Sequence, residues 1–420
     1  MTTRRYSAGP LGDLRVLELA DVKGEWLGKL MGDLGADVIK IEPLRGAAER
    51  SIGPFYQNIP HPERSLHFWH YNTSKRGITL NLEQEDGRAV FRRLVATADV
   101  VFETFAPGYL ASLGLGYEQL KAIRPGLIMC SLTPFGQTGP WRDFRSSDLL
   151  HLAAGGQMAS CGYSEDEFPD APPIAPGGGN AWHMGCHYAY IAVMAAITHR
   201  DFTGGGQYID ASVHGACALT TEGAVPTWIY GKKVVHRQTG RHASASPTAP
   251  TQLRCKDGKY INTSGAFMLR MSPEQLKVVV DWMDSHGLAE DLKDPRYQDA
   301  AFVQANSEHI AKTIEQFIGN ITQDEAYHGA QARGFSFGAV RAPEEIIADA
   351  HFRERGFFVD VQHPELGKTF TYPGAAAIYS KSPWHISRRA PLLGEHNLEV
   401  FGELGLSPQE FAVLREANAV

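Results

Sequence analysis

The first part of the chain alternates short apolar runs with amphipathic stretches. Residues 15–19 and 36–42 are apolar enough to predict buried strands, and residues 24–34 between them place apolar side chains three and four positions apart, as in a helix. Gly35 follows, where glycine commonly ends a helix. The alternation continues with predicted strands at 78–80, 100–102 and 127–131 and predicted helices at 85–97 and 117–123. This order predicts an α/β fold whose parallel sheet carries helices on both faces.

The rest of the chain predicts a second, smaller domain. A long helix is expected at 182–199, and the Gly- and Pro-containing stretch 232–251 is expected to be a mobile linker. Ser407 and Glu410 form a capping-box pattern that predicts a helix at 407–417. The predicted organisation is a large domain at 1–230, a small α+β domain at 231–335, and a return segment at 336–420 that completes the large domain.

Composition narrows the class of protein. The chain has 420 residues, 43% of them hydrophobic and 21% charged, with a net charge of −7. These values are ordinary for a folded protein, and without a basic excess we expect neither a nucleic-acid partner nor a membrane partner. The absence of a long apolar run and of a secretory signal predicts a cytoplasmic location, and five scattered cysteines without a CxxC pair fit a reduced compartment.

Motifs for common chemistry are weak. The chain has no GxGxxG fingerprint and no P-loop. His183 and His187 have the spacing of metal ligands on a helix, but the glutamate of an HExxH motif is missing, so packed or solvated histidines are the simpler interpretation and no metal is expected. The glycine runs at 177–179 and 204–206 are either turns or an anion cradle. Residue patterns alone therefore favour an α/β enzyme with an anionic or nucleotide-bearing ligand.

Several segments together resemble one family, the class III CoA-transferases. They occur in order along nearly the whole chain, at 12–18, 30–42, 72–80, 98–108, 134–140, 203–210 and 391–397. The resemblance implies a Rossmann-like large domain with a smaller domain, and two chains that thread through one another as an interlocked-ring dimer. It also implies an enzyme that moves CoA between carboxylic acids, with a coenzyme A thioester as substrate and with no covalently bound cofactor.

The chemistry that the resemblance implies depends on an aspartate. Its carboxylate attacks the thioester to give a mixed anhydride and a CoA thiolate, which returns to form an aspartyl-CoA thioester that the acceptor acid then consumes. Counted without gaps, that aspartate position is Trp182 in this sequence. No Asp or Glu occurs between Asp170 and Asp201. The resemblance therefore implies that this chain lacks the catalytic aspartate, and His183, His187 and Asp148 are weak substitutes.

The resemblance also assigns positions that contact CoA. The implied contacts are Val22, Lys23, Lys75, Arg76, Leu80, Thr104 and Phe105. Thr104 replaces the family's usual asparagine, and residues 106–113 lack the arginines common there, which predicts weakened phosphate binding.

Three functions remain open at this point. The first is a degenerate CoA-transferase subunit that works with an aspartate-bearing partner chain, for example from succinyl-CoA to a benzylsuccinate-like acid. The segment 53–76 resembles the aspartate-lacking chains of benzylsuccinate CoA-transferases. The second is an active homodimer, a CoA-transferase or a racemase or isomerase of acyl-CoA, with a displaced catalytic group. The third is a CoA-ester-binding protein without catalysis.

Overall fold

The computed structural model describes residues 9–221, 223–264, 267–268 and 271–420. It divides into two compact units. The first comprises Met1–Gly155, Gly177–Thr220 and Asp349–Val420, and the second comprises Gly156–Pro176 and Thr221–Ala348. The second unit therefore begins earlier and ends later than the small domain predicted at 231–335, and residues 156–176 belong to it.

A six-stranded, wholly parallel sheet forms the centre of the first unit. Its strands are β1 (Arg15–Leu19), β2 (Asp37–Glu42), β3 (Lys75–Thr79), β4 (Val100–Glu103), β5 (Ile128–Thr133) and β6 (Tyr208–Ser212). They lie in the order β3-β2-β1-β4-β5-β6, the arrangement of a Rossmann fold. The register is regular, with Val16 opposite Val38 on one side and Val100 on the other. The predicted α/β class with a Rossmann-like parallel sheet is confirmed.

Helices cover the sheet of the first unit. They are α1 (Glu25–Asp33), α2 (Leu66–Tyr71), α3 (Glu85–Val95), α4 (Tyr109–Ser112), α5 (Tyr117–Ile123), α6 (Asp148–Ala154), α7 (Asn180–Thr203) and α8 (Val213–Leu219). Strands β1 to β5 are almost continuously buried, as expected for a parallel sheet with both faces covered. Their buried side chains are mostly apolar in β4 and β5, whereas β3 begins with the buried cations Lys75 and Arg76. Apolar side chains of α3 and α5, among them Phe91 and Leu120, pack on one face of the sheet.

The second unit is a smaller α+β body with its own core. It contains α9 (Ala224–Gly231), β7 (Gln252–Arg254), β8 (Tyr260–Asn262), α10 (Pro273–Ser285), α11 (Ala300–Ala305), α12 (Ser307–Ile318), α13 (Gln323–Gln331), β9 (Gly338–Ala339) and α14 (Pro343–Ala348). Strands β7, β8 and β9 form an antiparallel sheet. Buried Trp282 and Phe317 meet edge-to-face at 4.9 Å between α10 and α12.

The end of the chain returns to the first unit. It consists of α15 (Ala350–Glu354), the antiparallel strands β10 (Phe358–His363) and β11 (Lys368–Pro373), α16 (Asn397–Glu403) and α17 (Pro408–Glu416). Ser407 and Glu410 form the predicted capping box. Short 3₁₀ turns lie at Ala48–Ser51, Tyr56–Asn58, Met158–Ser160, Glu290–Lys293, Pro295–Gln298 and Pro364–Leu366. Within the described residues, no helix has both the length and the apolarity to cross a bilayer.

Candidate active site

The sheet order reverses between β1 and β4, and ligands of such sheets bind at the carboxyl ends of the strands beside that point. The turn from β1 into α1, residues 20–24, lies there together with the end of β4. Glu103 is the last residue of β4 and pairs in register with Leu19 of β1. Four predicted CoA contacts, Val22, Lys23, Thr104 and Phe105, therefore come together at this edge.

The backbone N–H groups of this turn are hydrogen-bonded to side chains of the same chain, two of them to carboxylates. The Asp21 backbone N–H donates to the Thr104 hydroxyl at 2.9 Å, and that hydroxyl donates to Asp21 Oδ1 at 2.9 Å. The Val22 N–H donates to Glu49 Oε1 at 2.9 Å. The Lys23 N–H donates to Asp21 Oδ1 at 3.0 Å, and the Lys23 ammonium forms an ion pair with the same carboxylate. The backbone N–H groups of Val22 and Lys23 are thus both paired with carboxylates of the same chain.

The end of β4 carries a buried carboxyl group. The Phe105 N–H donates to Glu103 Oε2 at 2.6 Å, and Ser131 on β5 also hydrogen-bonds to this carboxyl. Burial raises the pKa of Glu103 to about 7 despite both bonds. The group therefore titrates near neutral pH at the edge where a ligand of this fold binds.

Lys75, Arg76 and Leu80 are buried around β3. The Lys75 ammonium forms an ion pair with Glu18 at 2.8 Å and donates to Asn72 Oδ1 at 2.9 Å. The Arg76 guanidinium contacts three carboxylates, those of Asp37, Glu399 and Glu403. Both cations are engaged within the chain, and their predicted contact with CoA stays a prediction.

The amino end of α7 holds Trp182 in its first turn. The turn follows Gly179, which has a φ of 69° that favours glycine. Asp148 of α6 lies beside it, and its Oδ1 accepts a hydrogen bond from the Ala181 N–H at 2.8 Å. A carboxylate at a helix N-terminus satisfies a backbone donor that the helix itself leaves unpaired. Asp148 therefore caps α7, and the Asn180 side chain donates to Gly177 O at 2.5 Å.

His183 and His187 lie on one face of α7 beside Trp26. The Trp26 indole stacks on His183 with ring centroids 4.9 Å apart and donates through Nε1 to His187 Nε2 at 3.1 Å. The Tyr71 hydroxyl and His183 Nε2 are 2.8 Å apart. Burial lowers the pKa of both histidines, so they are neutral at neutral pH. Neutral imidazoles are suited to proton transfer but add no positive charge for a phosphate.

A second aromatic cluster surrounds Trp182. His151 of α6 meets the indole edge-on at 5.4 Å and lies 5.0 Å from the Phe135 ring. Both imidazole nitrogens of His151 are buried without a hydrogen-bond partner among the described residues. Burial lowers the pKa of His151 to about 4. Trp141 and Phe144 continue the cluster at the surface.

Sequence reasoning missed several residues of these sites, among them Asp21, Trp26, Glu49, Glu103 and His151. Asp21 and Trp26 had a usable signal, because each closely follows a strand whose carboxyl end lies at the reversal of the sheet. Glu49 and His151 had none, since their contacts join segments distant in sequence. No cluster of three or more His, Cys, Asp or Glu side chains in the described part of the chain is arranged to hold a metal ion.

Comparisons with known proteins show which family and which proteins this chain is similar to. The family model described as CoA-transferase family III matches residues 11–397. The chain is 31% identical to succinyl-CoA:(R)-benzylsuccinate CoA-transferase subunit BbsE of Thauera aromatica, over 97% of each chain. It is 30% identical to the succinyl-CoA–L-malate CoA-transferase beta subunit of Chloroflexus aurantiacus, over 98% of each chain. Succinate–glutarate CoA-transferase of Agrobacterium fabrum is 31% identical, over 96% of this chain and 98% of that protein.

Solved structures share the fold. A CAIB/BAIF family protein from Brucella suis superposes with a TM-score of 0.79 at 31% identity, over 94% of this chain and 99% of the other. Rv3272 from Mycobacterium tuberculosis superposes with a TM-score of 0.73 at 24% identity, over 93% and 99% of the two chains.

Proposed function

The chain belongs to CoA-transferase family III, and from that premise we propose that it is the subunit of a heteromeric CoA-transferase that lacks the nucleophilic aspartate. Family membership and the names of the relatives support CoA-transferase activity. The proposed complex pairs this chain with a second family member that carries the aspartate, as two interlocked chains. The proposed reaction moves CoA from succinyl-CoA to another carboxylic acid.

One observation carries this proposal: an indole, not a carboxylate, occupies the first turn of α7 at Trp182. An indole cannot form an acyl anhydride with a thioester. The nearby acid, Asp148, already accepts the Ala181 N–H at 2.8 Å, and a carboxylate used as a helix cap is held away from a nucleophilic role. Asn180, two residues before Trp182, offers only an amide, which is no nucleophile for this reaction.

In the proposed complex the partner chain supplies the nucleophile. Its aspartate carboxylate attacks the thioester carbonyl, and CoA thiolate leaves as a mixed anhydride forms. The thiolate attacks the aspartyl carbonyl, which releases the donor acid and leaves an aspartyl-CoA thioester. The acceptor carboxylate then reverses the two steps. This chain contributes half of the scaffold and the side chains that surround its own α7 terminus.

Names of two relatives support a heteromer, because BbsE and the malate enzyme's beta chain are each described as a subunit.

Exposed apolar surface supports contact with another protein chain. Helix α9 has no buried residue in the isolated chain although Trp228, Ile229 and Tyr230 are apolar or aromatic. In the first unit, Ile191 and Phe202 of α7 are likewise exposed. Surfaces of this kind mark contact sites.

The acceptor acid is proposed to be benzylsuccinate-like, because the chain is 31% identical to a subunit of succinyl-CoA:(R)-benzylsuccinate CoA-transferase.

The test is a transfer assay with separate and mixed chains. We expect no CoA transfer from this chain alone, turnover when it is mixed with an aspartate-bearing family member of the same host, and loss of turnover when the partner's aspartate is changed to asparagine. Transfer by this chain alone, with a rate that survives the partner's change, contradicts the proposal.

A second candidate function has one observation in its favour. The Tyr71 hydroxyl hydrogen-bonds His183 at 2.8 Å, and the pKa of that histidine is lowered by burial, as befits a general base. A homodimeric racemase or isomerase of acyl-CoA would use such a pair to exchange a proton at the α-carbon. Uptake of deuterium from heavy water into an acyl-CoA by this chain alone, lost in His183→Ala, would favour it over the heteromer.

A further inference from the structure

Helix α6 is held to the first unit by few buried side chains. Of its seven residues, only His151 and Leu152 are buried. The neighbouring Leu149 and Leu150 are exposed although both are apolar. Elements with few buried apolar contacts open at a lower free energy than the core of the same fold. Because one of its two buried side chains is polar, α6 is anchored to the core mainly by a single leucine.

The imidazole of His151 is buried without a partner for either ring nitrogen within the described part of the chain. It is surrounded by other rings, with centroid distances of 5.0 Å to Phe135, 5.4 Å to Trp182 and 6.1 Å to His214. The Nδ1 atom of His214 is likewise buried and unpaired. A buried polar atom without a hydrogen bond costs the free energy of its lost hydration. His151 therefore destabilises the packed position of α6.

The chain on both sides of α6 can accommodate a movement of the helix. Residues 144–147 before it form neither helix nor strand. Gly155 and Gly156 follow it, and Gly156 has a φ of 97°, a conformation that favours glycine. Hinges are commonly a few residues of this kind at the ends of an element. Asp148 of α6 accepts the Ala181 N–H, so a movement of α6 reaches the first turn of α7.

We propose that α6 is a gate beside the first turn of α7, and that the unpaired imidazole of His151 holds this gate close to opening. In the closed state His151 packs edge-on against Trp182 in that turn. In the open state both nitrogen atoms of His151 pair with water or with a polar group of a bound molecule, and the indole of Trp182 loses this contact. The inference concerns this chain alone, so it goes beyond the proposed function and holds whether or not a partner chain supplies the nucleophile.

Protonation of His151 gives the gate a dependence on pH. Burial, and then the nearby His214 on α8, lower the pKa of His151 to about 4 from an ordinary value of 6.5. The rings of Phe135 and Trp182, which face it from two other elements, are uncharged, and Asp148 lies one turn earlier on its own helix. In the open state the imidazole is hydrated and takes up a proton near its ordinary pKa. The closed state is therefore disfavoured as pH falls below 6.5, by up to tenfold per pH unit until about pH 4.

Hydrogen–deuterium exchange of the purified full chain, followed by mass spectrometry of a peptide that covers α6, tests the gate. Protection is compared between pH 7 and pH 5 after correction for intrinsic exchange rates. We expect α6 to lose about tenfold or more in protection over this range. Helix α3, which covers the same sheet and contains no histidine, should keep its protection.

Two variants separate the cost of the unpaired atoms from the effect of the charge. His151→Leu removes both unpaired nitrogen atoms, and we expect α6 to gain at least about tenfold in protection at pH 7. His151→Gln keeps a buried polar side chain but cannot titrate, so α6 should be as open as in the parent at pH 7 and should lose its dependence on pH. The matched control is His199→Leu, the same change at an exposed position of α7, which should alter neither property.

Circular dichroism verifies that each variant is folded, and His151→Met replaces a leucine variant that is not. The inference is supported if the folded apolar variant gains protection and the glutamine variant loses the dependence on pH. No gain in protection in the folded apolar variant, or the same dependence on pH in the parent and in His151→Gln, overturns it.

Discussion

The carboxylate of Asp148 accepts a hydrogen bond from the backbone N–H of Ala181 at 2.8 Å. The acid belongs to the first turn of α6 and the donor to the first turn of α7, so one short helix caps the next. Trp182, the next residue along α7, faces His151 of the same short helix. The acid near the nucleophile position thus has a structural partner of its own.

Removal of this cap should cost stability and leave activity intact. We expect Asp148→Ala to lower the free energy of unfolding by about 1 kcal/mol, the usual cost of a lost helix cap, and Asp148→Asn to cost less because its amide oxygen still accepts. Denaturant unfolding measures both. The transfer rate of the complex should change less than about threefold. A hundredfold loss of rate in the stable asparagine variant would instead make Asp148 catalytic.

Restoration of the missing acid alone should not restore an enzyme. We expect Trp182→Asp to give this chain no measurable CoA transfer by itself, because Thr104 replaces the family's usual asparagine and residues 106–113 lack the arginines common there. Trp182→Phe serves as the control for loss of the indole. Robust transfer by the aspartate variant would show that the chain retains a working CoA site.

The sequence pattern predicts β1, β2, β4 and β5 because they are buried on both faces and contain apolar runs. It places the third strand at 78–80 whereas β3 begins with the buried cations Lys75 and Arg76, and it does not predict β6 (Tyr208–Ser212). It predicts the start of α17 because Ser407 and Glu410 carry the signal within four residues. Contacts between residues that are distant in sequence have no such local signal. The contact of Glu49 with Val22 joins residues 27 apart through a 3₁₀ turn that has no periodic pattern.

The ion-pair partners of charged residues on strands are likewise not predictable from the sequence. Lys75 and Arg76 match a family motif, and the motif alone assigns them to CoA. Their ion pairs come from β1, β2 and the distant α16, so no local pattern reveals them. A sequence identifies a cation more readily than the carboxylate that neutralises it.

Lys75 and Lys23 offer a direct comparison of two predicted CoA contacts. Lys75 is fully buried against Glu18, and loss of one partner of a buried ion pair is expected to cost about 3 kcal/mol of unfolding free energy in Lys75→Met. Lys23 lies in a partly exposed pair with Asp21, and Lys23→Met should cost less than about 1 kcal/mol. Chemical denaturation compares the two. Equal, small costs would mean that Lys75 is held for a ligand and not for the fold.

Mutation of the α7 histidines separates the two candidate functions. In the heteromer we expect His183→Ala and His187→Ala to change the transfer rate less than about tenfold, since their Nε2 atoms are engaged by Tyr71 and Trp26. The rate constants are measured on the mixed complex. A loss of two or more orders of magnitude from either variant would support a histidine-dependent proton transfer.

Glu103 should make stability depend on pH. Its pKa is about 7 in the folded chain against an ordinary value of 4.5, so the folded state holds a proton that the unfolded state releases between these values. Stability from this group is therefore present at low pH and lost as pH rises from about 4.5 to 7. We expect Glu103→Gln to be more stable than the parent at pH 8 by on the order of 2 kcal/mol, and the difference to shrink toward pH 4.5. A difference independent of pH, measured by denaturant unfolding, would contradict this.

Native mass spectrometry of the chain, captured by a tag from its own host, tests most directly whether it forms a complex with an aspartate-bearing partner chain. The account predicts a complex of one copy of this chain with one copy of a second CoA-transferase family III member, which has an aspartate at the position of Trp182. A homodimer free of any second family member would contradict it and would locate the chemistry within this chain.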